Sequence, residues 1–494
     1  MTKVKGSEEG IIRDLNEMPT PEEGFQGELS LTPEEANVGE EVEVRGEGLP
    51  PESEFQLLWR SYEADWDVER NSDGVLWGKF LGFQHEERQK ILESVETGEQ
   101  GKFLANIEVP EDYGASHDIY LISEDKRINK VRILVVPSFS VEPDSGPLGS
   151  PITITARGLP LPVPRSVDNS VYHIYYDNKH TGMISPVTPN GTAKINIPAT
   201  GRPGPHVIDV ERCPFGNTGS YRQSHIGLTS MPGTVDLSWT FELTEGQPEL
   251  PPPIDEQIPD QVLRENGNPK PEDGAFLTTR ERAIPVNDSV TVEGFGFPPG
   301  AQVKLTWSLI EGNDLREDVR KNEEYTETTV LTKNSTVGAN GKLTTEITPA
   351  PESVQGGPQP IHAVIDGEKV ATTSVIVLPV FDELKPTSGP VGTQITINGQ
   401  GVGWNETWNQ ATILYDNSYI GYVCGGDIPG IVEGKLKATG SPGWHIIDIY
   451  PTIEKQWNFA KEAFEVPFIY RRPFLNWNSH PQGYHFRYAF KVEE

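Results

Sequence analysis

Residues 145–158 read SGPLGSPITITARG, and residues 388–401 read SGPVGTQITINGQG. Eight of the fourteen positions are identical, and the Gly, Pro and Ile spacing is kept. ITIT and ITIN alternate apolar and polar residues, the period of a strand with one buried face. The second copy closes on Gly399 and Gly401, and the first on Ala156 and Gly158. Glycine tolerates the sharp bend that ends such a strand. Internal periodicity is read before local propensity, because it decides the architecture.

The repeat extends beyond this motif. YYDNKHTG (175–182) is answered by LYDNSYIG (414–421), and PGPHVIDV (203–210) by PGWHIIDI (442–449). Asp and Asn after an apolar run, with a Gly following, mark a hairpin turn. HVIDV and HIIDI are β-branched and extended. A different unit precedes each of these. VGEEVEVRGEGLPPESEFQLLW (38–59) pairs with VNDSVTVEGFGFPPGAQVKLTW (286–307), and GKFLANIEVP (101–110) with GKLTTEITPA (341–350). The tails also agree, Leu237, Trp239, Phe241 and Leu243 standing opposite Phe486, Tyr488, Phe490 and Val492. The chain therefore reads A–B–A–B.

Each unit carries about seven short strands with turn residues between them, the pattern of a two-sheet antiparallel sandwich. FQHEERQKILESVETGEQG (83–101) has a helical look, but its counterpart YTETTVLTKNSTVGANGK (325–342) is β-branched and turn-rich. Residues 88–96 are accordingly read as a strand. The expected fold is all-β, with four tandem immunoglobulin-like β-sandwich domains made by internal duplication. The expected divisions are an acidic arm at 1–27, domain A1 at 28–137, B1 at 138–245, a Pro-rich linker at 246–272, A2 at 273–380 and B2 at 381–494, the last ending in an aromatic strand.

SGPLGSPITITARG and SGPVGTQITINGQG resemble the opening of TIG/IPT domains, an immunoglobulin-like family. Pro143 and Pro386 supply the leading proline, YDN…G resembles the central hairpin, and PGPHVIDV and PGWHIIDI resemble the last strand. Ala156 departs from the family's Gly. The A units resemble more general bacterial Ig-like modules. The resemblance implies sandwiches used for spacing, assembly or binding, without catalysis in the domain itself.

The chain has 494 residues, with Gly and Pro plentiful at 49 and 43. Lys and Arg number 41 against 73 Asp and Glu, so 41 − 73 gives −32. Such an excess repels phosphate and argues against nucleic-acid binding. The N-terminal stretch lacks an apolar core of signal-peptide length, and no apolar run approaches transmembrane length. The two cysteines, Cys213 and Cys424, do not correspond between repeats, which excludes a repeated disulfide. The G-x-S-x-G, H-E-x-x-H and G-x-x-x-x-G-K-[ST] patterns do not occur.

Two acidic insertions, RSYEADWDVERNSDG (60–74) and SLIEGNDLREDVRKNEE (308–324), occupy the same place in the A units. They are expected to be loops, where binding is often carried. Asp65, Asp67, Glu69, Asn71 and Asp73 alternate in the first and are the candidate calcium ligands, on the condition that the loop curls. Arg70 stands where an EF-hand needs Gly, and the twelfth-position Glu is missing, so a solvated acidic loop or strand face is the favoured reading. Trp66, Trp77, Trp404 and Trp408 are the loop aromatics expected to meet a partner, since an exposed ring gains nothing until covered. Trp59 and Trp307 are expected in the core. His206 and His445 recur, each with an Asp three residues on, but i and i+3 on a strand face opposite sides. A structural role for these histidines at the strand start is expected. His117 and His362 are noted in the A units near a shared strand.

The expected function is that of a non-enzymatic structural protein, without cofactor, that decorates or cements a large particle such as a virion or tail-like assembly. Its partners would be subunits of that assembly, with no nucleic acid and no membrane insertion, and it would reside on the virion or an extracellular particle surface. The alternatives are a carbohydrate- or cell-surface-binding adhesion module, or a surface-layer protein lacking its export signal.

Overall fold

The computed structural model describes residues 25–70, 78–124, 126–160, 171–184, 189–213, 236–250, 274–281, 283–312, 325–348, 357–402, 411–423, 430–451, 455–458, 463–467 and 485–494. Among them the chain is built of strands, with one 3₁₀ turn at Pro189–Gly191.

The first unit holds β1 (Glu28–Thr32), β2 (Glu35–Ala36), β3 (Glu41–Glu47), β4 (Glu54–Arg70), β5 (Gly78–Glu96), β6 (Phe103–Glu108), β7 (Ala115–Ser123) and β8 (Lys126–Val135). They form a three-stranded sheet, β1-β3-β6, and a five-stranded sheet, β2-β8-β7-β4-β5. The second unit holds β9 (Ser138–Glu142), β10 (Ser145–Pro147), β11 (Pro151–Arg157), β12 (Val171–Tyr176), β13 (Lys179–Ile184), β14 (Ala193–Pro198), β15 (Gly204–Cys213) and β16 (Asp236–Thr244). Its sheets run β9-β11-β14 and β10-β16-β15-β12-β13.

The third unit holds β17 (Phe276–Thr279), β18 (Ala283–Pro285), β19 (Val290–Phe295), β20 (Gln302–Gly312), β21 (Tyr325–Thr336), β22 (Leu343–Ile347), β23 (Gly357–Ile365) and β24 (Glu368–Leu378). The fourth holds β25 (Val380–Phe381), β26 (Ser388–Pro390), β27 (Gln394–Gln400), β28 (Ala411–Tyr415), β29 (Ser418–Val423), β30 (Val432–Lys437), β31 (Gly443–Pro451), an added hairpin of β32 (Lys455–Asn458) and β33 (Ala463–Pro467), and β34 (Phe486–Glu493). Their sheets run β17-β19-β22, β18-β24-β23-β20-β21, β25-β27-β30 and β26-β34-β31-β28-β29.

These orders are one topology written four times. In each unit the first strand divides, and its second piece (β2, β10, β18 or β26) joins the five-stranded sheet parallel to the last strand. The A and B units, unlike in sequence, are thus the same immunoglobulin-like sandwich, with eight strand segments rather than seven. Each has its own apolar core.

The alternation in the repeated motif does what its period requires. Ile152, Ile154 and Ala156 on β11 are fully buried, and Ile395 and Ile397 on β27 likewise. Removing one such side chain from water contributes roughly 1.5–3 kcal/mol. The Gly-x-Gly bend has two separate causes. A Cβ at Gly46 would lie 2.2 Å from the Phe103 ring, and one at Gly399 would lie 2.5 Å from Phe381. The second glycine of the pair, Gly48, Gly158, Gly296 or Gly401, has φ of 67°, 65°, 70° or 67°, a left-handed backbone that only glycine enters freely. At Ala156 the first position carries a buried Cβ, and the left-handed backbone falls two residues on, at Gly158.

The acidic insertions differ from expectation. They are not loops at their flanks but extensions of the hairpins β4–β5 and β20–β21, with Glu63 opposite Glu86 and Asp67 opposite Gly82. Antiparallel pairing gives the backbone groups that face across the ribbon partners in each other, leaving the outward-facing ones to solvent. Residues 88–96 lie within β5, a strand as read from the duplication.

Each five-stranded sheet also carries a bulge on its edge strand, at equivalent places in the two B units and two residues apart in the two A units. The extra residue is Leu92, Thr181, Val330 or Ile420, as the register shifts show.

Candidate interaction surface

The Tyr-Asp-Asn turns build a repeated polar unit. Asp177 and Asn178 have φ of 49° and 62°, and Asp416 and Asn417 have 47° and 60°, the two-residue I′ turn whose twist suits a hairpin. The Asp then reaches across to the next strand. Asp177 Oδ2 lies 2.6 Å from His206 Nδ1, and its Oδ1 accepts from the Val207 amide at 3.1 Å. In the second copy Asp416 Oδ2 lies 2.6 Å from His445 Nδ1, and Oδ1 accepts from Ile446 N at 2.9 Å. The other ring nitrogens reach carbonyl oxygens, His206 Nε2 to Arg202 at 2.8 Å and His445 Nε2 to Ser441 at 2.9 Å.

Both imidazole nitrogens therefore face acceptors, and only the protonated ring donates from both. The Asp177 hydrogen bond is the chief influence holding the His206 pKa above its usual value, against partial burial. Burial works to lower that of His445, yet the Asp416 hydrogen bond and charge prevail and raise it. Burial would raise the Asp177 carboxyl, but His206 and the Val207 amide hold it below the usual range. The partner of each recurrent His is the turn Asp 29 residues upstream, not the Asp three residues on. Tyr176 and Tyr415 complete the unit: their hydroxyls donate to Thr200 O at 2.9 Å and Thr439 O at 2.8 Å, and their rings stack on the histidines.

The turn of the fourth unit is docked onto the second. Asn417 Nδ2 donates to Pro198 O at 2.7 Å and to Thr200 Oγ1 at 3.1 Å. The bulge residue Thr181 donates its hydroxyl to Asn417 O at 3.0 Å, and Arg202 Nε donates to Ser441 Oγ at 3.0 Å. Behind the turn, Ile446, Trp444 and Ala489 pack into the apolar core that contains Leu148. A buried Arg487 bonds Asp448 through Nε at 2.7 Å and the Gly149 carbonyl through Nη1 at 3.0 Å.

The first and second units are joined differently. Gly114 N donates to Leu159 O at 2.8 Å and bridges Pro160 in parallel fashion, while within the second unit Leu159 N donates to Gly191 O at 2.8 Å. Asp112, just before this joint, accepts from Trp59 Nε1 at 2.7 Å, and His117 stacks on Trp59 with Nε2 2.7 Å from Tyr113 O. His117 thus serves the core face of its strand. His362 pairs with Thr306 in the sheet, where Tyr120 stands opposite Leu58 in the first unit. The two histidines are not equivalents, and His362 instead bonds Thr372 Oγ1 at 2.8 Å.

The remaining predicted residues fall as follows. Asp65, Trp66, Asp67 and Glu69 lie on the extended strand β4, where alternate residues form a straight row at roughly 6.6 Å spacing rather than a curl. This corrects the loop placement of Trp66. Asn71, Asp73, Trp77, Trp404 and Trp408 lie outside the described residues. Among the described residues no three His, Cys, Asp or Glu side chains converge on a point. Trp59 and Trp307 are core residues, as expected. The turn Asp residues and Thr181 were missed. The repeated YDN marked the turn, but nothing local marks a partner 29 or more residues away.

No protein-family signature matches the chain. No curated protein shows significant sequence similarity to it. Among solved structures, the native E. coli alpha-2-macroglobulin is 9% identical with a TM-score of 0.18, over 95% of this chain and 32% of that one. The ICAM-5 D1–D4 ectodomain fragment is 13% identical with a TM-score of 0.20, over 94% of this chain and 99% of that one. Invasin, a bacterial integrin-binding protein, is 11% identical with a TM-score of 0.18, over 94% and 79%. The chain spans about a third of the macroglobulins' length. The units are called immunoglobulin-like from their sheet topology.

Proposed function

We propose that the chain is a non-enzymatic structural protein whose sandwiches form a scaffold for contacts in a large particle, such as a virion or tail-like assembly, and that its B units are TIG/IPT-type domains. The observation that carries this is the way the units are fastened. The Asn417 dock, the Arg487–Gly149 bridge and the Gly114–Leu159 joint hold neighbours through hydrogen bonds, those of Asn417 and Arg487 coming from buried side chains. A tether between independent binding modules does not need such joints. Six of the described histidines have structural partners that support the same reading. His117, His206 and His445 are committed to backbone carbonyls, His173 and His180 to each other, and His362 to Thr372.

The test is fractionation of native material on a density gradient, with an antibody to the chain. Co-migration with a particle, resistant to a high-salt wash, is the expected result. Recovery only in the soluble fraction, together with glycan binding that Trp404→Ala or Trp408→Ala abolishes, would establish the adhesion reading instead.

A further inference from the structure

The contact between the second and fourth units joins two copies of one duplicated domain, yet the two copies use different surfaces. The fourth unit gives its turn and the outer face of β31: Asn417 and Ile446. The second unit receives them with Leu148, Thr181, Pro198 and Thr200. Such an interface is heterologous. A heterologous contact leaves the giving surface unused on one partner and the receiving surface unused on the other.

The counterparts of both surfaces are solvent-exposed. Val207, at the position of Ile446, is 41% exposed, whereas Ile446 is 1% exposed. Asn178, the equivalent of the buried Asn417, is exposed. On the fourth unit, Val391 stands where Leu148 does, and is 61% exposed against 7%. Ile420 is the bulge residue equivalent to Thr181, and is 47% exposed. Lys437, Thr439 and Gly440 are exposed as well, while Pro198 and Thr200 are buried. Three of the chain's exposed large apolar residues are thus the vacated counterparts of residues buried in the internal contact.

We propose that the occupant of these surfaces is a second copy of this chain. The Asn178–Val207 face of one copy would dock on the Val391–Ile420–Thr439 face of the next, repeating the internal contact between molecules. Repetition of a head-to-tail contact gives a ring where the rotation closes and a filament where it does not. This inference does not depend on which particle the chain serves.

The chemistry sets the strength. Ser238 replaces Arg487, Ile420 replaces Thr181 and Ser418 replaces Lys179 at the new contact, so three polar bonds of the internal one lose their donors. The internal contact also benefits from tethering at high effective concentration. Each copy carries a charge of −32, and salt screens that repulsion. Assembly is therefore reversible, and strengthens with protein concentration and with sodium chloride.

Sedimentation equilibrium of the full chain tests this, using Val207→Glu as a variant lacking the giving face and Val391→Glu/Ile420→Glu as one lacking the receiving face. All three positions are exposed, and thermal melts serve as the check that the variants fold. The wild type is expected to exceed dimer mass as concentration and salt rise. Each variant alone should lose assembly and stay at 54.6 kDa. Mixed together, the variants should double in mass and stop there, because one intact face of each kind remains. A wild type that stays monomeric throughout, a variant that assembles like the wild type, or a mixture that remains monomeric would each overturn the proposal.

Discussion

At the scale of single residues, the Tyr–Asp–His unit makes stability depend on pH in a defined way. The folded pKa of His206 and of His445 is raised. Their contribution is complete below the unfolded value of about 6.5 and is lost as pH rises through the folded value. The folded pKa of Asp177 is lowered. Its contribution is present above the unfolded value of about 3.9 and is lost as pH falls through the folded value. The margin of the wild type over a His206→Asn/His445→Asn variant is therefore expected to be greatest between about pH 4 and 6.5 and to shrink toward pH 8. Thermal melts across that range check it. Tyr176→Phe removes a buried hydroxyl that donates to Thr200 O, and should cost about 0.5–1.5 kcal/mol in urea unfolding. Gly440→Ala should cost more, because the new Cβ would lie 2.4 Å from the His445 ring at a φ of 100°.

At the scale of elements, the joint between the first two units depends on a side chain inside the first core. Trp59 donates to Asp112, whose other oxygen accepts from the Tyr113 amide, and Gly114 follows with its bond to Leu159. Trp59→Phe keeps most of the packing and removes the donor. The loss is expected to be about 1–3 kcal/mol, the cost of leaving a buried acceptor short of a partner. Faster amide exchange at Gly114 and Leu159 would accompany it. A variant in which only the first core loosens would show that joint and core are independent.

At the scale of the whole molecule, Arg487 ties the fourth unit to the second through a charge that is almost wholly buried. Arg487→Met leaves Asp448 buried without its cation, and should cost about 3–5 kcal/mol. Replacing Asp448 with Leu in addition should restore much of that loss, since a well-packed apolar pair often equals a buried ion pair. Calorimetry of the single and double variants separates the two. Should the double variant remain as unstable as the single, the bond to the Gly149 carbonyl would carry the effect instead.

The duplication, the strand pattern and the positions of the bends belonged to the sequence alone. Alternation at Ile152 and Ile154 and the left-handed glycines such as Gly401 are local constraints, set by sterics and a two-residue period. The hairpin status of residues 88–96 also followed, because duplicated segments share a fold. Tertiary structure decided the rest. Unlike A and B sequences proved to share one topology, since pairing order depends on backbone hydrogen bonds that many side chains satisfy. The described flanks of the acidic insertions became paired ribbons because their backbones found partners in each other. That Asn417 is buried while its twin Asn178 is exposed depends on which copy packs against which, and two identical Tyr-Asp-Asn turns cannot encode that difference within themselves.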